Sequence, residues 1–139
     1  MCFTQGGGCG IGVTGFGFQG NLTLIDQKGE GTGAPAVAIG VAPTTYTATG
    51  YYDKNGIQAR VAYNWRDGFL SGYGFDPYYV EAYGQFDVSA SWEFKKGLTA
   101  FVEGINITNE VQQDFVAEDE FRSYTDYGRT YSIGVRASF

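Results

Sequence analysis

The chain has 139 residues, of which only 17% are charged, and it has a formal net charge of −6 and no histidine. Because the nine Lys and Arg residues are scattered along an acidic chain, no nucleic-acid partner is expected. Without histidine the commonest general base is missing, and we expect neither catalytic residues nor an enzymatic activity.

The first 15 residues, "MCFTQGGGCGIGVTG", form a glycine-rich start that we expect to be poorly ordered. They lack the basic start and the apolar stretch of a signal peptide. Cys2 and Cys9 lie here, and the sequence leaves open whether they form a disulfide. Because a zinc site of the usual mixed kind needs histidine, neither a metal nor a cofactor is expected.

From residue 16 onward, six segments alternate apolar and polar residues with the period of a β-strand. They are 16–26, 45–53, 56–67, 85–94, 97–108 and 128–139. The first, third and fourth are nearly regular, and Val61 and Val88 lie at the centres of the apolar sides of the third and fourth. The fifth changes phase between Val102 and Ile105, which predicts a bulge or the end of regular pairing near Gly104.

The connections between these segments alternate in length. Tight turns are predicted at Asp53–Gly56 and Lys95–Gly97, whereas Gln27–Thr44, Gly68–Gly84 and Glu110–Gly128 are long. Short turns at one end, long loops at the other and aromatic residues near both ends of the apolar sides are typical of outer-membrane barrels. The sequence therefore predicts an all-β fold of antiparallel up-and-down transmembrane β-barrel strands, about six of them, in a partial barrel. Alternation alone also fits a soluble sandwich.

Charged residues in the middle of these segments fall in the polar phase. A charge that faces lipid at the bilayer midplane costs roughly 2 to 4 kcal/mol, so these side chains are expected to face the lumen. They are Arg60, Asp87, Glu93, Arg136 and, if the fifth segment keeps its first phase, Glu103. We expect a structural network, in which these charges pair with each other or with a plug, rather than a substrate track.

Four stretches of the sequence resemble the C-terminal barrel strands of TonB-dependent outer-membrane receptors. They are "RVAYNWRDGFLSG" (60–72), "VEAYGQFDVSASWEF" (80–94), "LTAFVEGINITNE" (98–110) and "YGRTYSIGVRASF" (127–139), and the resemblance covers roughly residues 16–139. It implies contact with bacterial outer-membrane lipid and uptake of a nutrient, namely a siderophore, cobalamin or an oligosaccharide, energised by the TonB complex. The plug and the rest of the barrel are expected from the same parent chain or from other copies.

The same resemblance implies a role for the aromatic C-terminus and for the long loops. In outer-membrane proteins the barrel-assembly machinery reads an aromatic C-terminal residue, here Phe139, which is also suited to anchoring at the interface. Ligand contacts are expected from the tyrosine-rich loop, whose aromatic and acidic side chains suit sugars or other flat ligands. The candidates are Tyr73, Asp76, Tyr78, Tyr79 and Glu81.

The acidic loop after residue 112 could attract cations, but its spacing matches no calcium-binding motif. Its carboxylates are Asp114, Glu118, Asp119, Glu120 and Asp126. We expect a solvated loop there without a dedicated site.

Two other functions remain compatible with the sequence. One is a small outer-membrane structural or adhesive β-protein that assembles from several chains, and the other is a soluble carbohydrate-binding β-sandwich. A partial barrel has two unpaired edges that lipid cannot satisfy, which favours a longer parent chain. The receptor interpretation would fail if Val61, Ala90 and Val135 packed together in a closed core.

Overall fold

A computed structural model describes residues 8–26, 38–116 and 120–138 of the chain. In this part of the chain the regular elements are all β-strands. They are β1 (Gly8–Val13), β2 (Phe16–Leu24), β3 (Thr44–Lys54), β4 (Ile57–Arg66), β5 (Phe69–Tyr73), β6 (Pro77–Val80), β7 (Tyr83–Lys95), β8 (Leu98–Ile105), β9 (Gln112–Val116), β10 (Glu120–Thr125) and β11 (Thr130–Ala137). Over the described ranges, no helix is long and apolar enough to cross a membrane.

Seven strands form one antiparallel sheet, the main sheet, in the order β1-β2-β3-β4-β7-β8-β11. The six predicted strands are β2, β3, β4, β7, β8 and β11, so the all-β antiparallel fold is confirmed. The glycine-rich start contributes a seventh strand, β1, which alternation did not predict because glycine has no side chain to mark a face. The main sheet is open, with β1 and β11 at its edges.

The register places the predicted apolar sides of these strands on one face of the main sheet. Val61 of β4 pairs with Gly50 of β3 and Val88 of β7, and Val88 pairs with Gly104 of β8. Gly104 pairs in turn with Tyr131 of β11. Because paired residues point to the same side of a sheet, these rows define a continuous apolar face and an opposite polar face.

The apolar face is largely uncovered. Ile133 is 87% exposed, Val135 is 65% exposed and Val61 is 48% exposed. Among the described residues the buried apolar side chains are Ala62, Leu70 and Val80, and none of them lies on the apolar face. Val61 and Val135 therefore do not pack into a closed core, and Ala90 is likewise only partly buried.

Both predicted tight turns are present. Asn55 and Gly56 have φ of 56° and 74°, the left-handed pair that a two-residue hairpin between β3 and β4 requires. Gly97 has φ of 78° in the turn between β7 and β8. The phase change predicted near Gly104 corresponds to the end of β8 at Ile105.

The long connections after β4 and β8 contain strands that the sequence analysis described only as loops. The hairpins β5–β6 and β9–β10 pair through β6 and β9 into a second sheet, the loop sheet, of order β10-β9-β6-β5. Bulges at residues 70–72 and 121–123 shift the register, which interrupts the alternation that would have marked these strands. The remaining long connection, between β2 and β3, contacts the loop sheet, because the Gly40 amide donates to the Leu70 carbonyl of β5 at 2.7 Å.

Candidate functional site

The five charged residues predicted to face the lumen all lie on the polar face. In one row across the sheet, Arg60 pairs with Ser89, and Ser89 pairs with Glu103. In a second row, Glu93 pairs with Thr99, and Thr99 pairs with Arg136. Each row thus holds one cation and one carboxylate on either side of a hydroxyl residue.

These two rows line an open cavity on the half of the polar face that is nearer the short turns. The cavity has a volume of about 600 Å³, and its lining includes both rows together with Tyr51 and Phe101. Within a row the two charged residues are two strands apart, roughly 10 Å between Cα atoms at the usual strand spacing. Such a gap suits a polar group that bridges cation and carboxylate.

Two aromatic rings on the polar face lie over glycines of the neighbouring strand. Tyr51 pairs with Gly17 and Phe101 pairs with Gly134, and a Cβ built on either glycine would overlap the ring of its partner. Each ring is therefore held against the sheet beside the cavity. The sequence analysis missed both residues, although an aromatic residue opposite glycine is a signal once the register is known.

Replacing Gly134 with valine should displace the Phe101 ring and lower the free energy of unfolding by about 1 to 2 kcal/mol, the usual cost of overpacking. In a Phe101→Ala background the same substitution should cost little, which a double-mutant cycle in urea would measure. Gly50→Val is the matched control, since a Cβ at Gly50 meets nothing within 4 Å. Equal costs for Gly134→Val in both backgrounds would contradict the contact.

Asp87 lies at the other end of the polar face and is the acceptor of a hydrogen-bond network. Its carboxylate accepts from Gln85 Nε2 at 2.6 Å, from the Asn106 amide at 3.1 Å and from Asn64 Nδ2 at 3.3 Å. Asn64 Oδ1 accepts in turn from Thr47 Oγ1 at 3.1 Å. With these donors satisfied, Asp87 joins β3, β4, β7 and the end of β8 rather than facing the open cavity.

Arg66, at the end of β4, connects the main sheet to the loop sheet. Its Nη2 donates to Gln112 Oε1 at 2.8 Å, and its Cζ lies 4.9 Å from the ring centroid of Phe69 and 5.6 Å from that of Tyr83. The other terminal nitrogen, Nη1, is buried without a hydrogen-bond partner within the described ranges. This leaves a donor that an oxygen atom of a ligand could use. The sequence analysis assigned no role to Arg66.

The five predicted ligand-binding residues do not form one cluster. Tyr78 and Tyr79 are adjacent in β6 and point to opposite faces of the loop sheet. The Tyr78 ring lies 4.2 Å from Cζ of Arg122, whereas Tyr79 pairs with Phe115. Tyr73 ends β5 and is 52% exposed.

Asp76 and Glu81 take part in the backbone of this loop. The Asp76 carbonyl accepts from the Gly74 amide at 3.0 Å, and the Glu81 amide donates to the Gln113 carbonyl at 2.9 Å. Neither contact uses a carboxylate, and the ligand contacts expected of the two acidic side chains stay a prediction.

The carboxylates of the acidic loop are also dispersed. Asp114 accepts from Gln112 and Ser123, both at 3.4 Å, and Asp126 accepts from the Gly128 amide at 2.8 Å. Across the described ranges, no three His, Cys, Asp or Glu residues come together as metal ligands. The predictions for Cys2, Glu118, Asp119 and Phe139 lie outside the described residues, as does any pairing of Cys9, of which only the backbone in β1 is described.

Comparison of the chain with known proteins identifies no family. No protein-family model, no curated protein and no solved structure matches the chain.

Proposed function

We propose that this chain is a C-terminal segment of the barrel of a TonB-dependent receptor in the bacterial outer membrane. In this proposal the main sheet is part of the transmembrane wall, and the parent protein takes up a siderophore, cobalamin or an oligosaccharide. The observation that carries the proposal is the continuous exposed apolar face, which includes Phe18, Val61, Val102 and Ile133. An exposed apolar surface of this extent marks a contact with a membrane or with another protein.

The order of side chains along the apolar face supports a membrane as that contact. One group of aromatic rings lies near the loop end. There the ring centroids of Tyr46 and Trp65 are 5.0 Å apart, and those of Tyr63 and Phe86 are 4.4 Å apart. A second group lies near the short turns. In this group the ring centroids of Phe16 and Tyr52 are 4.7 Å apart, and those of Trp92 and Phe94 are 6.0 Å apart. In the row between the two groups, the four central strands carry glycine or valine, namely Gly50, Val61, Val88 and Gly104, whereas β2 and β11 carry Phe18 and Tyr131. Aromatic girdles at both interfaces with aliphatic residues between them are typical of outer-membrane barrels.

The length of the apolar face fits the thickness of a bilayer. From Ile57 to Trp65 the strand advances by eight residues, or about 27 Å at the usual rise. A tilt of about 40° reduces this to roughly 21 Å along the membrane normal, close to the apolar band of about 25 Å in outer-membrane barrels.

The alternative soluble sandwich lacks the packing it would need. Among the residues that the structure describes, extensive contacts between strands run only within each sheet, so the loop sheet does not cover the apolar face of the main sheet. A sandwich buries the inner faces of two sheets against each other. In the described part of the chain the buried apolar residues are Ala62, Leu70 and Val80, which do not amount to such a core.

The two tryptophans provide a test, since Trp65 and Trp92 both lie on the apolar face at opposite ends of it. Trp65→Phe and Trp92→Phe each leave one tryptophan, whose emission is measured in micelles doped with nitroxide-labelled lipid. A nitroxide near the headgroup should quench either tryptophan several-fold more than a nitroxide near the acyl terminus. In a background without either tryptophan, Ser91→Trp on the polar face is the matched control. It should be quenched by aqueous iodide instead.

Quenching of Trp65 and Trp92 by iodide to the same extent as the Ser91→Trp control would contradict the membrane role. A monodisperse monomer in buffer without detergent would contradict it as well, because the apolar face would then be stable in water.

A further inference from the structure

The directions of the two edge strands of the main sheet follow from the number of its strands. Every neighbouring pair from β1 to β11 is antiparallel. Strand direction therefore alternates across the seven strands, and the first and last, β1 and β11, run in the same direction.

This parity restricts how copies of the chain could close a barrel. In one membrane the copies share an orientation, so that β11 of one would meet β1 of the next. That pair would be parallel, whereas the strands of outer-membrane barrels are antiparallel. Antiparallel pairing of β11 with β11 of a second copy would invert that copy and place its loop sheet on the other side of the membrane.

We propose that the open edges of the main sheet are closed by an odd number of strands that are not copies of this chain, with an antiparallel strand at β11. This inference rests on the membrane role proposed above. An odd number is required because only then are both new pairs, at β1 and at β11, antiparallel. The assembly from several identical chains, considered above from the sequence, is thereby disfavoured.

The side chains of β11 specify the strand that fits beside it. Tyr131, Ile133 and Val135 lie on the apolar face, so the partner strand presents apolar residues opposite them. Arg136 ends the row of Glu93 and Thr99 at the sheet edge. A carboxylate opposite Arg136 would continue that row with alternating polar groups and offset a charge next to the lipid boundary.

The test uses a synthetic ten-residue strand peptide of alternating Val and Ser, with an N-terminal cysteine and one Glu placed opposite Arg136 in antiparallel register. The chain is prepared in micelles with Cys2→Ser and Cys9→Ser. It also has either Ser138→Cys, beyond one end of β11, or Arg129→Cys, before the other end. An antiparallel peptide has its N-terminus at the Ser138 end, so its cysteine lies beside Ser138→Cys and roughly 30 Å from Arg129→Cys, at the usual rise per residue. With a mild thiol oxidant added, the disulfide should therefore form at least about ten-fold faster with Ser138→Cys, as the effective concentration of adjacent groups predicts. Faster reaction at Arg129→Cys would overturn the proposal.

Two further measurements complete the test. A peptide with Lys in place of Glu should react several-fold more slowly, and Arg136→Glu should restore its rate; no change in either case would overturn the predicted contact. The second measurement uses two differently tagged chains, one with Ser132→Cys in β11 and one with Gly10→Cys in β1, two positions that the register places on the polar face. A high yield of the mixed disulfide between them would overturn the exclusion of identical copies. Detergent partition and tryptophan quenching test the membrane role separately.

Discussion

Under the proposed membrane role, replacing Ile133 with arginine should remove about 2 to 4 kcal/mol from the stability of the main sheet, the cost of a cation on the lipid side near the midplane. Ile133 lies in the middle of β11, pairs with Val102 and is 87% exposed. The chain therefore makes few contacts with this side chain that the substitution could remove. The expected loss of stability therefore arises from the medium around the side chain. The variant thus reports whether lipid or water covers the apolar face.

Ser132→Arg is the matched control, one residue away in the same strand and on the polar face. It should change stability by no more than a few tenths of a kcal/mol, as exposed polar substitutions usually do. Urea titration in lipid micelles, followed by tryptophan emission, measures both variants. If Ile133→Arg proved neutral and the chain stayed soluble without detergent, water rather than lipid would be the neighbour of this face.

The sequence predicted the six longest strands because their side chains alone record which face is apolar. In β4 and β7, alternation through Val61 and Val88 is nearly regular, and both residues lie on the apolar face as it predicts. The five charged residues on the polar face were predicted for the same reason. Their phase fixes their face whether or not anything binds there.

The features of the fold and site that the sequence did not predict depend on pairs of residues that are distant in sequence. That Phe101 lies over Gly134 follows from the register of β8 with β11, which alternation within either strand does not contain. The hydrogen bond between Arg66 and Gln112 spans 46 residues and exists only because β6 and β9 join two loops into one sheet. Tyr78 and Tyr79 were grouped by proximity in sequence, although in a strand adjacent residues point apart.

The end of β8 holds a second feature that the sequence indicated only as a change of phase. Asn106 is 2% exposed and has φ of 53°, a conformation that asparagine tolerates better than most residues. Its Oδ1 accepts from the Glu110 amide at 2.8 Å, and its Nδ2 donates to the carbonyls of Glu110 at 3.0 Å and Gly128 at 3.3 Å. One buried side chain thus joins the start of the β8–β9 connection to the loop that precedes β11.

Asn106→Ala should therefore lower the free energy of unfolding by about 3 kcal/mol or more, since each buried group left without its partner costs roughly 1 to 3 kcal/mol. Asn109→Ala is the matched control. Asn109 has a similar φ of 57°, so its substitution should show only the backbone cost, about 1 kcal/mol. Hydrogen exchange should locate the effect, because the Glu110 amide loses its acceptor in the Asn106 variant alone. Equal destabilisation by both variants, with Glu110 still protected, would mean that backbone conformation, not the side-chain bonds, holds these loops together.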